Sequence, residues 1–212
     1  MNYLTLRSFM KDFTVFSLRD ILRVEPGFHR RRLNEWQAKG YIRKVIKGFY
    51  IFSDLPLDEL VLFEIANRVY KPSYVSLESA LAYYQLIPEG VFGVTSVSTR
   101  RTYRFTTGLA EFRFRTIKPK LFFGYELMPA RDKRVKIARP EKAVLDFLYL
   151  NPGLRRRPDF ESLRIDTDRF FRTVSVRALR AAAARFGRKP FIARVDLFLE
   201  HLRTLMPEAS HA

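Results

Sequence analysis

Apolar positions recur at helical spacing from the start of the chain. Leu6, Phe9, Met10 and Phe13 predict a first helix over residues 4–13. Ser17, with Asp20 three residues on, reads as a weak capping box opening a short helix over LRDILRV, which Pro26-Gly27 breaks. A further helix is expected over FHRRRLNEWQAKG, residues 28–40, with Gly40 as the residue that ends it. YIRKVI, a Lys47-Gly48 turn and FYIF then form a hairpin. Helix, helix, breaker, helix, hairpin is the order of a winged helix-turn-helix, so residues 1–54 are expected to be a DNA-binding domain of that kind.

The pattern changes after Leu55-Pro56. DELVLFEIANRV and SLESALAYYQLIP read as amphipathic helices, the second with Ser76 as its N-cap. From Val91 to Ile137 the segments VTSVST, TYRFT, AEFRFRTIK, LFFGYEL and VKIA are β-branched and aromatic, with strand alternation clear from Phe112 to Arg115. Gly108 and the run Ala130–Arg134 read as turns. RPEKAVLDFLYLN is a helix with Pro140 in its first turn, and the remainder is helical through DFESLR, VRALRAAAARF and IARVDLFLEHLRTLM. The expected fold class is α+β. The N-terminal winged helix is followed by a larger mixed domain over residues 55–212, with an antiparallel-type sheet at 91–137 and helices at 139–207.

Charge adds a partner to this picture. The 212 residues carry 39 Lys and Arg against 22 Asp and Glu, a net charge of +17. Residues 1–55 hold +6, 56–150 hold +5 and 151–212 hold +6, so the excess lies on folded segments rather than in a tail. A basic surface of that breadth suits neutralisation of nucleic-acid phosphates. In the third helix Leu33 and Trp36 share an apolar face, with His29 near it as a half-buried packing residue. The opposite side carries Arg31, Asn34, Glu35 and Ala38, with Arg30 and Arg32 at its flanks. Arg pairs bidentately with guanine and Asn with adenine, so Arg30, Arg31 and Asn34 are the expected base readers and Arg32 a phosphate contact. Arg43, Lys44 and Lys47 flank the hairpin turn and are expected to track the DNA backbone or enter the minor groove. Arg100, Arg101, Arg104, Arg113 and Arg115 suggest a second basic surface on the sheet, open to flanking DNA, a protein partner or RNA.

Three blocks of this sequence resemble the AbiEi family, antitoxins of type IV toxin–antitoxin systems and transcriptional regulators. They are YVSLESALAYYQLIPE, VTSVSTRRTYRF with FRFRTIKPKLFFGYE, and KIARPEKAVLDFLYL. The resemblance spans about residues 4–150, and its most specific parts are the Ser-Leu-Glu-Ser-Ala-Leu and Pro-Glu-Lys-Ala blocks. It implies a winged helix before a larger α/β domain, and repression of the chain's own operon through an inverted-repeat DNA operator. It also implies opposition to a nucleotidyltransferase-type toxin without a stable complex, and a possible homo-oligomer on the DNA. The alternative is a winged-helix transcription factor with no toxin partner, whose C-terminal domain serves oligomerisation or ligand sensing.

Each block also has a plain packing reading. Leu77, Ala80, Leu81 and Tyr84 make an apolar stripe, and in RPEKAVLDFLYL Ala143, Leu145, Phe147, Leu148 and Leu150 are expected to be mostly buried. Lys142 and Asp146, four apart, read as a structural ion pair worth about 0.3–0.5 kcal/mol if exposed.

No enzyme is expected. The chain has no Cys, and its three His lie in different regions, so neither thiol catalysis nor a metal site is indicated. It has no phosphate-cradling glycine loop and no Gly-x-Ser-x-Gly elbow. Asp58, Glu59 and Glu64, and Asp166 with Asp168, read as exposed helix-start or loop charges rather than nuclease carboxylates. No cofactor is expected. With no apolar run of membrane length and no signal-peptide pattern at the N-terminus, the expectation is a cytoplasmic protein.

Overall fold

The structure is a computed structural model that describes residues 1–88, 93–130 and 133–206. Its first part runs α1 (Tyr3–Phe9), β1 (Phe16–Ser17), α2 (Leu18–Val24), α3 (Arg31–Ala38), β2 (Ile42–Ile46) and β3 (Phe49–Phe52). Asn2 opens α1 by accepting the Thr5 N–H at 2.8 Å. At α2 the capping box is complete, Ser17 and Asp20 satisfying each other's backbone donors. α3 ends in a Schellman motif: Gly40, at φ +71°, donates to Gln37, and Tyr41 donates to Trp36. The three strands form an antiparallel sheet in the order β1-β3-β2.

That sheet is buried on both sides. Phe16, Tyr50 and Phe52 join Leu6, Met10, Ile21, Phe28, Leu33, Trp36 and Ile42 in one core. Val15, Val45 and Ile51 pack instead into the core of the larger part. Side-chain contacts reinforce the seam with α4 (Glu59–Val69): Arg68 reaches Asp20 at 2.8 Å, and Thr14 donates to Glu64 at 2.5 Å.

The larger part centres on a six-stranded sheet of order β6-β7-β5-β4-β9-β8. Its strands are β4 (Ser73–Val75), β5 (Gly93–Ser98), β6 (Tyr103–Thr106), β7 (Glu111–Thr116), β8 (Tyr125–Ala130) and β9 (Lys133–Ala138). Three of its junctions are antiparallel; β5–β7 and β4–β9 are parallel. The first parallel junction arises because β7 inserts between β5 and β6 as the β6–β7 hairpin folds back. α4 covers the face bearing Phe112 and Phe114, and Tyr70 stacks there on Tyr103 at 5.4 Å. The other face carries α5 (Leu77–Tyr83) and α6 (Pro140–Leu150). α7 (Arg157–Glu161), α8 (Thr167–Thr173), α9 (Val176–Ala184) and α10 (Lys189–Thr204) follow, with α9 and α10 packed on α6. Burying each Phe of this core contributes on the order of 1.5–3 kcal/mol. The chain is thus an α+β protein with an antiparallel-rich sheet and a helical C-terminal part.

Several expected boundaries move. The first helix stops at Phe9 rather than continuing to residue 13, because Phe13 leaves the helix to lie between Arg68 and Lys133. Phe9, expected in the apolar stripe, is exposed. LFFGYEL is a strand only from Tyr125: Pro119 starts a 3₁₀ turn, and Gly124 at φ +72° bends the chain around the Lys142 side chain. Strands occupy Ala130 and Lys133–Arg134, where the sequence pattern predicts a turn; residues 131 and 132 lie outside the described ones, as do 91 and 92 at the expected start of the sheet. β4 begins the sheet earlier than the pattern suggests, and α8 adds a helix that the pattern does not announce.

Candidate nucleic-acid interface

Leu33 and Trp36 anchor α3, and Phe28 packs on the Trp36 ring at 5.5 Å from outside the helix. The helix begins at Arg31 rather than residue 28; the chain enters it through i,i+3 bonds from Arg32 to His29 and from Leu33 to Arg30. Phe28 takes the packing place expected for His29, which is exposed. Arg30 is the N-cap residue and contributes no side-chain cap.

With its apolar stripe buried, α3 turns Arg31, Arg32, Asn34 and Glu35 outward. Arg31 lies 3.8 Å from Glu35, one turn on, a pair too exposed to hold the guanidinium strongly. Arg32 is bent back to the Met1 carbonyl, away from the free part of the face. Among the described residues, no hydrogen bond or ion pair engages the side chains of Arg30 and Asn34. In the neighbouring hairpin Lys44 and Lys47 are exposed, and Lys47 sits in the two-residue turn between β2 and β3. Arg43 differs: it is half-buried, and its Nε is buried without a hydrogen-bond partner. The structure therefore brings Arg30, Arg31, Asn34, Lys44 and Lys47 to the surface of the N-terminal part, ties Arg32 to the Met1 carbonyl and leaves Arg43 half-buried.

The five sheet arginines do not share one face. Arg104 and Arg113 are register partners and both pair with Glu111, Arg113 at 2.6 Å, which holds the Glu111 carboxyl below its usual range. Arg115 donates to the Leu150 carbonyl at the end of α6. Arg100 turns to the opposite side, its guanidinium 4.4 Å from the centre of the Tyr70 ring, and Arg101 lies beside it in the β5–β6 turn. The alternation that suggested a common face ends at that turn.

Sequence reasoning missed the most polar part of the interior. Lys142 and Asp146 are fully buried rather than solvated. Lys142 Nζ donates to Asp146 and, at 2.9 Å, to the Tyr74 hydroxyl. Tyr74 and Ser76 donate in turn to Asp146 Oδ2 at 2.8 and 2.9 Å. The ammonium is ringed by Tyr74, Phe123 and Phe186 within 5.1–5.5 Å. Burial pushes Lys142 below the usual ammonium range and Asp146 above the usual carboxylate range, with the pairing opposing both shifts. Ser76 keeps its N-cap position, but its hydroxyl serves Asp146 rather than the helix. Ser79 and Thr95 tie the same helix to β5 through a reciprocal pair of backbone–hydroxyl bonds. The blocks around Ser76 and Lys142, which carried the family resemblance, thus meet at one buried cluster.

Among the described residues no group of three or more His, Asp or Glu is placed to hold a metal ion, and no helix is long and apolar enough to cross a membrane. No family model and no curated protein matches the chain. Among solved structures it is similar to the crystal structure of the Rv2827c protein from Mycobacterium tuberculosis. The identity is 14% and the TM-score 0.44, with 97% of this chain and 83% of that one covered.

Proposed function

We propose that this chain is a cytoplasmic, DNA-binding transcriptional regulator that reads duplex DNA with α3 and steadies it with the β2–β3 hairpin, as a winged helix-turn-helix does. The observation that carries the reading is the division of α3. Leu33 and Trp36 hold one side in the core, while Arg31 and Asn34 stand outward, and Lys44 and Lys47 of the hairpin that follows are exposed as well. An exposed helix with Arg and Asn near its start matches the donor and acceptor pattern of major-groove base edges. A net charge of +17 supplies the phosphate-binding component. The element order of residues 1–54, and their largely separate core, support treating them as the DNA-binding unit.

The AbiEi resemblance extends the proposal: the chain represses its own operon through an inverted repeat and counters a nucleotidyltransferase-type toxin without binding it stably. Titration of the duplex upstream of the chain's own gene, against a scrambled duplex of equal length, tests the DNA-binding half. The upstream duplex should bind at least a hundredfold more tightly, and equal binding would remove the regulator reading. Co-expression with an adjacent nucleotidyltransferase gene tests the other half. Growth should be restored, and persistent toxicity at full expression would remove the antitoxin role while leaving the DNA claim standing.

A further inference from the structure

A second basic surface lies far along the chain from α3. Between the C-terminal end of β7, the end of α6 and the start of α10 the fold leaves an open cleft of about 1220 Å³. Its floor is apolar, built from Ile117, Tyr149, Leu150, Phe191 and Leu197, and its cations are Lys118, Arg155, Arg188 and Arg194. No carboxylate lines the cleft, and among the described residues none of the four cationic side chains forms an ion pair with one, the nearby Asp159 carboxylate accepting from the Arg155 backbone N–H instead.

Arg194 is the most constrained of these groups. It donates to the Leu148 and Pro152 carbonyls at 2.7 and 3.2 Å, clipping the end of α6, while its Nε is buried without a partner. Arg155 Nε donates to the same Pro152 carbonyl at 2.8 Å, so the two guanidiniums are held close together with neither in an ion pair among the described residues, and burial and Arg155 both push Arg194 below its ordinary range. Arg188 and Lys118 are exposed, and their side chains make no hydrogen bond or ion pair among the described residues. Tyr149 is half-buried, braced edge-on by Phe186 and Phe191, and forms a fixed aromatic surface in the floor.

We infer that this cleft binds a single-stranded nucleic-acid segment, with bases on the apolar floor around Tyr149 and phosphates along Lys118, Arg155, Arg188 and Arg194. An aromatic floor edged by cations matches a partner that presents base faces and phosphates together. A duplex keeps its bases stacked inside and would leave such a floor unused. A small anion would fill little of a cleft larger than the ~300–1,000 Å³ of usual small-molecule sites. An acidic peptide would need partners for its own backbone groups, and the lining offers few. Its side-chain hydroxyls are those of Tyr149, Thr99 and Thr116, the last already donating to Arg100. With no carboxylate or amide side chain to read the sugar, DNA and RNA strands bind alike. The cleft shares no residue with the α3 surface.

The test is fluorescence anisotropy of the full chain with labelled oligo-dT and oligo-U octamers, with dTMP and an octaglutamate peptide as competitors. Both octamers should bind with similar affinity. Lys118→Ala with Arg188→Ala should weaken both at least tenfold and flatten the salt dependence by about 1.4 in log–log slope, ~0.7 for each phosphate no longer neutralised. Neither side chain is tied into the fold by a hydrogen bond or ion pair, so the variant tests binding rather than folding. Arg31→Ala should leave octamer binding unchanged, and the double variant should retain binding to the upstream duplex, which separates failure here from failure of the α3 reading. Octamers binding no tighter than dTMP, octaglutamate competing equally, or unchanged affinity in the double variant would each overturn the inference.

Discussion

Lys142 and Asp146 stand one helical turn apart, a spacing that on an exposed helix is worth a few tenths of a kcal/mol. Here Tyr74 and Ser76 close over the pair, and both charges are removed from water. Breaking such a pair from one side strands the other charge. Lys142→Met is therefore expected to cost about 3–5 kcal/mol in urea unfolding, while Lys142→Met with Asp146→Leu recovers most of the loss. A double variant as unstable as the single one would show that the two groups do not act as a unit. The spacing was legible in the sequence, but its burial was not: the closing hydroxyls come from about seventy residues earlier, and no local pattern announces them. His29 shows the same limit, since a wheel drawn over residues 28–40 assumes a helix that begins only at Arg31.

Among the elements, α2 was the most readable, because both halves of its capping box are adjacent in sequence. Its long-range partner was not: Asp20 also pairs with Arg68 of α4, which joins the two parts of the molecule. Burial pushes the Asp20 carboxyl up, but the Ser17 hydrogen bonds and Arg68 outweigh it, and the group sits below its ordinary value. A carboxyl depressed in the folded state contributes stability that is complete above its unfolded value, about 4, and is lost as pH falls through the folded one. Asp20→Asn should lower thermal stability at neutral pH by about 1–3 kcal/mol and shrink the loss between pH 4 and the folded value. Parallel pH profiles for the two proteins would contradict this. Strand alternation located β5, β6 and β7, but strand order depends on the inserted hairpin, which no periodicity encodes. β4 was hidden because its three residues are all buried, so it shows no alternation.

At the scale of the whole molecule, charge is spread over folded surfaces, among them the outer side of α3 with its hairpin and the cleft beside α10. Composition made the first recognisable, because Arg and Asn cluster opposite Leu33 and Trp36 within a dozen residues. The second was unreadable, because its cations come from segments more than thirty residues apart. The seam through Asp20–Arg68 and Val15, Val45 and Ile51 holds the three-stranded sheet against the larger part, with α3 on its other side. The central claim is that α3 reads base sequence while the hairpin contacts phosphate. The most direct test measures the affinity ratio between upstream and scrambled duplexes at several salt concentrations, for the wild type and for Arg31→Ala, Asn34→Ala and Lys47→Ala. Arg31→Ala and Asn34→Ala are each predicted to reduce the ratio by about 1–3 kcal/mol. Lys47→Ala should weaken both duplexes alike and lower the salt slope by about 0.9. An unchanged ratio in both Arg31→Ala and Asn34→Ala would contradict the claim.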